Sequence, residues 1–442
     1  MRTVALLVLL AALPLLADNW SEWRGPNQNG ASATARDLAV SWDTAQGVKW
    51  RIKLESWSAA TPIIWGDVVF VTSAEAGFND PLKYGAQRGG PRMNARPDVN
   101  AHDMLYLIAL NRTDGSILWK RETGDKNQIY RKQNMASPSP VTDGTHVWTM
   151  TGGGDVRAFD FDGNVLWGRD LQEDYGRFGL NWGYASSPRL HDGRLYIQVL
   201  HGMTTDDPSY VLALDAATGE TIWRVDRPTD APHESPDNYA TPLLVPVDGE
   251  LQLIVSGADY VTGHSLGDGS ELWRLGGFNP NNDRNYRTIA SSMEMDGVVF
   301  TTSRAGRPFV AFRPGGAGDL TGKAEVWTNN LGSDVPTPTT DGKIIYVVND
   351  RGILAALDPK TGSEIYPRQR LEPGTYSSSP LLADGKIYAT SEDGTTTVVQ
   401  TGPEFEILAV NKLDDYTLAS PVAVDNEIFI RTMQYLYCIG GK

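Results

Sequence analysis

The sequence predicts an all-β fold, an eight-bladed β-propeller of four-stranded antiparallel blades, and three observations predict it. A unit recurs eight times along the chain, each copy reads as two hairpins, and the last copy is one strand short while an unpartnered strand stands near the N-terminus. A four-stranded unit at that spacing is a propeller blade, and a ring closed by joining the two chain ends leaves no sheet edge free at the seam.

The chain opens with Met1-Arg2, an apolar run from Thr3 to Leu16, and Ala17 before the polar Asp18-Asn19. Basic head, apolar stretch and small residue predict a secretory signal over 1–17, too short for the roughly 20 residues of a spanning helix. The mature chain is expected to be exported, soluble in the periplasm or outside the cell, without stable membrane insertion. Residues 18–47 form an N-terminal extension, and 48–442 a single propeller domain.

Within the propeller, Ala213 to Trp223 (ALDAATGETIW) and Ala356 to Tyr366 (ALDPKTGSEIY) match position for position. Ala109 to Trp119 keeps the spacing, Gly263 to Trp273 (GHSLGDGSELW) keeps it with a degenerate start, Ala158 to Trp167 is one residue shorter, and Ala311 to Trp327 carries a longer turn. Each is a strand, a Gly-containing turn and a strand ending in a large aromatic. Upstream of each stands Ser/Thr-Pro and a tight turn, as in Ser187-Pro188 with Asp192-Gly193 before LYIQVL; Ser292-Met293 marks the copy without proline. The starts at 62, 140, 188, 242, 293, 338, 380 and 421 are 41 to 54 residues apart, after a first gap of 78 that holds an insertion at 74–103. The last copy, Leu418 to Ile439, holds three strands, and Val48 to Leu54 supplies the fourth. Trp50, Trp119, Trp167, Trp223, Trp273 and Trp327, six of the 13 tryptophans, then share one structural position suited to packing between blades.

With 39 basic and 54 acidic residues the net charge is -15, which repels phosphate backbones and argues against a nucleic-acid partner. The one cysteine, Cys438, cannot make an intrachain disulfide or a Cys-rich metal site. The histidines show no metal-ligand spacing, and no nucleophile elbow or phosphate loop occurs, so catalytic residues are unknown and no metal site is assigned. Asp160 to Asn164 resembles the start of a calcium loop but lacks the closing glutamate and reads as a hairpin turn.

The repeat Ala-Leu-Asp-x-x-Thr-Gly-x-x-x-Trp after Ser-Pro-x-x-x-Asp-Gly resembles the pyrroloquinoline-quinone (PQQ)-like β-propeller family over nearly all of residues 48 to 440. Asn19 to Gly30 (NWSEWRGPNQNG) also looks like the opening of exported bacterial members. The resemblance implies two roles. Quinoprotein alcohol dehydrogenases of this kind hold PQQ between a tryptophan and a disulfide of adjacent cysteines, with calcium beside it; the scaffold that assists outer-membrane barrel assembly is a lipid-anchored binding protein. The single Cys438 matches neither the cysteine pair nor the lipidated cysteine, so no cofactor is expected.

Strand alternation places the loops entering each innermost strand, and those between second and third strands, on one face. That face collects the long polar segments, including the insertion, His201 to Tyr210, His233 to Tyr239 (HESPDNY) and Asn279 to Arg287. Its rim residues Trp57, Trp182, Tyr184, Asn238, Tyr239, Asn285, Tyr286, Arg287, Tyr376 and Tyr416 are the candidate ligand-binding set, aromatic faces with polar neighbours suited to a protein, peptide or saccharide. The expected function is binding on this face; the alternative is a PQQ- and calcium-dependent dehydrogenase of an alcohol or sugar.

Overall fold

The computed structural model describes residues 19–75, 104–130, 133–302 and 308–440; the signal segment, and the insertion beyond Glu75, lie outside them. Eight four-stranded antiparallel sheets follow one another around a central channel, numbered here as blades 1 to 8: 63–124, 141–170, 189–226, 243–275, 293–329, 339–370, 381–412, and 422–440 with 48–53. Blade 3 shows the pattern: Arg189–His191, Arg194–Val199, Tyr210–Asp215 and Thr221–Asp226 run from the channel outward. Its first turn is Asp192-Gly193, both at positive φ (45° and 68°), which matches the twist of a two-residue hairpin. Among the described residues the one α-helix is Leu171–Tyr175, and no helix is long and apolar enough to cross a membrane.

The ring closes as expected. Val48–Lys53 pairs antiparallel with Tyr435–Gly440 as the outermost strand of blade 8.

Tryptophans join the blades. Trp119 of blade 1 donates its indole N–H to the Phe161 carbonyl of blade 2 (2.7 Å) and lies flat on Gly163. A Cβ there would sit 2.7 Å from the ring, and φ is +81°, so glycine is required twice over. The same carbonyl and glycine pairing recurs for Trp50, Trp167, Trp223 and Trp327, at 2.8 to 3.0 Å.

Trp273 departs from the series. Blade 5 has a longer turn, whose Gly318–Asp319 strand pairs with the outer strand of blade 4. The indole instead turns into its own blade and donates to Gln252 Oε1 at 2.8 Å. It fits because Gly263 replaces the alanine opposite the tryptophan in blades 1, 2, 3 and 5. A Cβ at Gly263 would meet Trp273 Cε2 at 2.2 Å. Gly263→Ala is therefore expected to cost about 1–3 kcal/mol, the usual penalty of overpacking, and a chemical-denaturation midpoint equal to wild type would contradict this.

The Ser/Thr-Pro signature has a structural reason. The N–H of Thr61 donates to Ser139 Oγ, Ser139 to Ser187, Ser187 to Thr241, Thr241 to Ser291, Ser291 to Thr337, Thr337 to Ser379 and Ser379 to Ser420, all at 2.9–3.1 Å. The hydroxyl of each unit thus receives the amide of the unit before it around the channel. In blade 5 Ser291 fills this place, one residue before the Ser292-Met293 pair that marks the copy in sequence, and Ser292 takes the proline position. The eighth link is not made, and Thr61 Oγ1 is buried without a hydrogen-bond partner.

Residues 19–42 are not an appendage. They fill the hairpin end of the channel and then pack Ala35, Leu38 and Trp42 against the core of blades 7, 8 and 1.

Candidate binding site at the channel mouth

Loops entering the innermost strands converge on the opposite, loop-bearing end of the channel. The structure separates the candidate rim residues into those that pack the loops and those that meet in one place. Tyr184, Tyr286, Tyr376 and Tyr416 are buried. Tyr184 donates to the Gln198 carbonyl (2.8 Å), Tyr376 to the Glu372 carbonyl (2.8 Å) and Tyr416 to Glu392 (3.2 Å). Asn238 is a brace: its Oδ1 accepts from Gln198 Nε2 (2.9 Å) and the Ala240 amide (2.7 Å), and its Nδ2 donates to the Ser256 carbonyl. Trp57 is buried across the mouth, its carbonyl accepting from Asn134 Nδ2 at 2.9 Å. Asn285 is exposed on the loop 276–292.

Trp182, Tyr239 and Arg287 come together. The Trp182 indole donates to Glu234 Oε1 (2.8 Å), where Asn181 Nδ2 also donates (3.1 Å), while the Trp182 amide donates to the Tyr239 hydroxyl (3.1 Å). Arg287 lies between two carboxylates, 3.9 Å from Glu234 and 3.8 Å from Asp334, too far for hydrogen bonds. Its Nε and Asp334 Oδ1 are both buried without hydrogen-bond partners. Such groups cost about 1–3 kcal/mol each when left unmade, so the guanidinium is held between the two carboxylates without fully satisfying them.

The loops beneath are tied by two buried titratable groups. Asp237 accepts from the amides of Asn181 (2.6 Å), Gly202 and Met203 (both 3.1 Å). Burial pushes its pKa up to about 7, against the lowering effect of the amides, and Glu234 adds to the rise. His201 Nδ1 accepts from the Gly179 amide (2.9 Å), and burial lowers its pKa. The neutral ring is therefore the form that holds the loop.

Glu234 and Asp334 were not candidates from sequence. Glu234 lies within the noted HESPDNY segment; Asp334, in an ordinary Gly-Ser-Asp-Val stretch, carries no signal at all.

A family model described as outer membrane protein assembly factor BamB matches residues 103–366 and 319–404, more than half of the chain. The chain belongs to this family. No curated protein matches the sequence. Among solved structures, BamB from Moraxella catarrhalis is similar with a TM-score of 0.58 and 14% identity, covering 88% of this chain and 95% of that one. The quinohemoprotein alcohol dehydrogenase from Comamonas testosteroni gives 0.64 and 12%, covering 96% and 81%. At such identities the likeness establishes the fold alone.

The residues of this BamB-family chain do not fit the quinone grip that the dehydrogenase resemblance implies. Cys438 has no neighbouring cysteine, sits in the third strand of blade 8 opposite Trp50 and Phe429, and is fully buried in the core of blades 7, 8 and 1. Burial, reinforced by Glu427, pushes its thiol pKa up. It lies in the blade core, with no second cysteine to form the disulfide that such a grip uses.

Proposed function

We propose that the chain is an exported scaffold that holds a protein partner on its loop face, gripping an extended peptide segment at the channel mouth around Trp182 and Arg287. The observation carrying this reading is the half-buried Arg287 guanidinium, held between Glu234 and Asp334 at distances too long for hydrogen bonds, with the Trp182 indole on the same Glu234 carboxylate. A peptide backbone offers carbonyls to the exposed part of that guanidinium, and an aromatic residue beside an arginine is a usual form of interface anchor. The family's description as an assembly factor supports a protein partner. The reading requires no quinone.

A photo-crosslinking residue at the exposed Asn285 is expected to capture a discrete polypeptide from the native exported fraction, while one at the exposed Lys343 on the hairpin face captures none. Arg287→Ala is expected to weaken that capture about thirtyfold or more, an effect of hot-spot size. Equal capture by the variant, or competition by free saccharides instead of peptides, would overturn the peptide reading. Addition of PQQ and calcium to the purified protein is expected to leave the quinone spectrum that of free PQQ.

A further inference from the structure

Residues 20–32 reach blades 1 to 7 of the ring from the hairpin end, and Arg36 beyond them reaches blade 8. Trp20 exchanges both backbone hydrogen bonds with Ile64 of blade 1 (2.8 Å each), and the Ser21 carbonyl accepts from the Thr142 amide of blade 2 (3.0 Å). Glu22 pairs with Arg189 of blade 3 (2.7 Å), and Gln28 Oε1 accepts from the Leu244 amide of blade 4 (2.9 Å). Trp23 donates to Ser291, just ahead of blade 5 (3.3 Å). The Arg24 guanidinium donates to the carbonyls of Pro338 (2.8 Å) and Pro380 (2.9 Å), at the entries to blades 6 and 7. Ala31–Ser32 then adds a parallel strand to the inner edge of blade 7, and Arg36 donates its amide to Asp425 of blade 8 (3.0 Å).

Two observations distinguish this segment from the blades, and two more, which parts of the blades share, describe how it is held. The ring is already closed without it, by Val48–Lys53. Beyond residue 32 the chain runs through Ala33 and Thr34, both exposed, before packing again at Ala35. Three buried polar atoms on it lack partners: Trp20 Nε1, Glu22 Oε2 and Arg24 Nε. Finally, Arg24 is only 3% exposed and makes no ion pair among the described residues, its charge met by three carbonyls and the Trp23 ring, much as Arg227 and Arg431 are buried without an ion pair in the blades. A buried charge without a counter-charge is costly, and burial lowers its pKa to about 9. Two short backbone bridges joined by a few side-chain anchors describe a bound peptide better than a blade.

We propose that the hairpin end of the channel is a peptide-binding site whose resident ligand is the chain's own segment 20–32, held exchangeably by Trp20, Glu22 and Arg24. The class of ligand it takes is an extended peptide with the Trp-x-Glu-Trp-Arg-Gly pattern of residues 20–25. The site is separate from the channel mouth and does not depend on the scaffold reading.

The test uses the full chain with a protease recognition sequence placed between Ala33 and Thr34, cut after folding. A fluorescent peptide of residues 19–33 is then added, and its uptake is followed by anisotropy and size exclusion. The cut protein is expected to keep its β-sheet circular dichroism and to bind one equivalent of labelled peptide. The same peptide with Arg24→Ala should compete at least tenfold more weakly. In parallel, uncut full-length R24A protein should take up wild-type peptide faster than uncut wild type does. The proposal is overturned if the cut chain loses its sheet signal when the fragment leaves, if no exchange occurs, or if the Arg24→Ala peptide competes equally well.

Discussion

Trp119→Ala will destabilise the ring by about 3–5 kcal/mol, the range for truncating a buried aromatic. The indole packs against Phe70 and Phe159 with ring centroids 5.8 and 6.3 Å away, and its N–H satisfies the Phe161 carbonyl of the next blade. Truncation empties the space between two blades and strips a hydrogen bond that neither can replace. Trp119→Phe keeps most of the ring and loses the N–H, so about 1 kcal/mol is expected from the hydrogen bond alone. Urea-induced unfolding followed by tryptophan fluorescence separates the two variants. An alanine effect below about 1 kcal/mol would show that blades hold together without this joint.

The second large effect is acid lability at His264. In blades 1, 3 and 6 the corresponding position is leucine, at Leu110, Leu214 and Leu357, but blade 4 places a fully buried imidazole there. Its Nδ1–H donates to the Gly269 carbonyl (2.9 Å), and Nε2 lies 2.9 Å from Thr262 Oγ1, which already receives the Arg227 Nε–H at 3.2 Å. Protonation would add a second cation beside a buried guanidinium. Burial above all, then Arg227 and Arg274 against the Gly269 carbonyl and Glu271, lowers the pKa from 6.5 to about 4.

Because the folded-state pKa is depressed, the unfolded chain binds the proton first as pH falls. The stabilisation is complete above pH 6.5 and is lost between there and about pH 4, amounting to about 3 kcal/mol at 1.36 kcal/mol per unit. Asp237 works in the opposite sense, since its raised pKa makes the fold bind that proton more tightly than the unfolded chain does, and stability from this group grows as pH falls through 7. The measurement is therefore a difference. His264→Gln should flatten the pH dependence of the unfolding midpoint below pH 6.5 relative to wild type, and parallel curves would refute the assignment.

The architecture was readable because its punctuation is chemical. Asp-Gly turns, the serine or threonine ahead of proline and the tryptophan four residues after glycine each do the same job in successive blades, so repetition exposed them. The single missing strand of the last unit even indicated how the ring closes. The site was less legible, for an equally physical reason. An aromatic residue a few positions before an inner strand serves equally to fill the space between loops, as Tyr184 and Tyr376 do, or to face the mouth, as Trp182 does, and local sequence is the same for both. Glu234 and Asp334 matter only because of where Arg287 points, a relation between loops of three blades. The role of residues 19–32 was hidden in the same way: their partners are spread over seven units, and no single stretch records them.

The chain of hydroxyl and amide contacts around the channel has a consequence for how such rings change over time. Ser187 carries both halves of the joint, receiving on its hydroxyl the amide of Ser139 and offering its own amide to Thr241. A whole repeat gained or lost by duplication or deletion thus arrives or leaves with a matching plug and socket. The joint itself is indifferent to the number of blades.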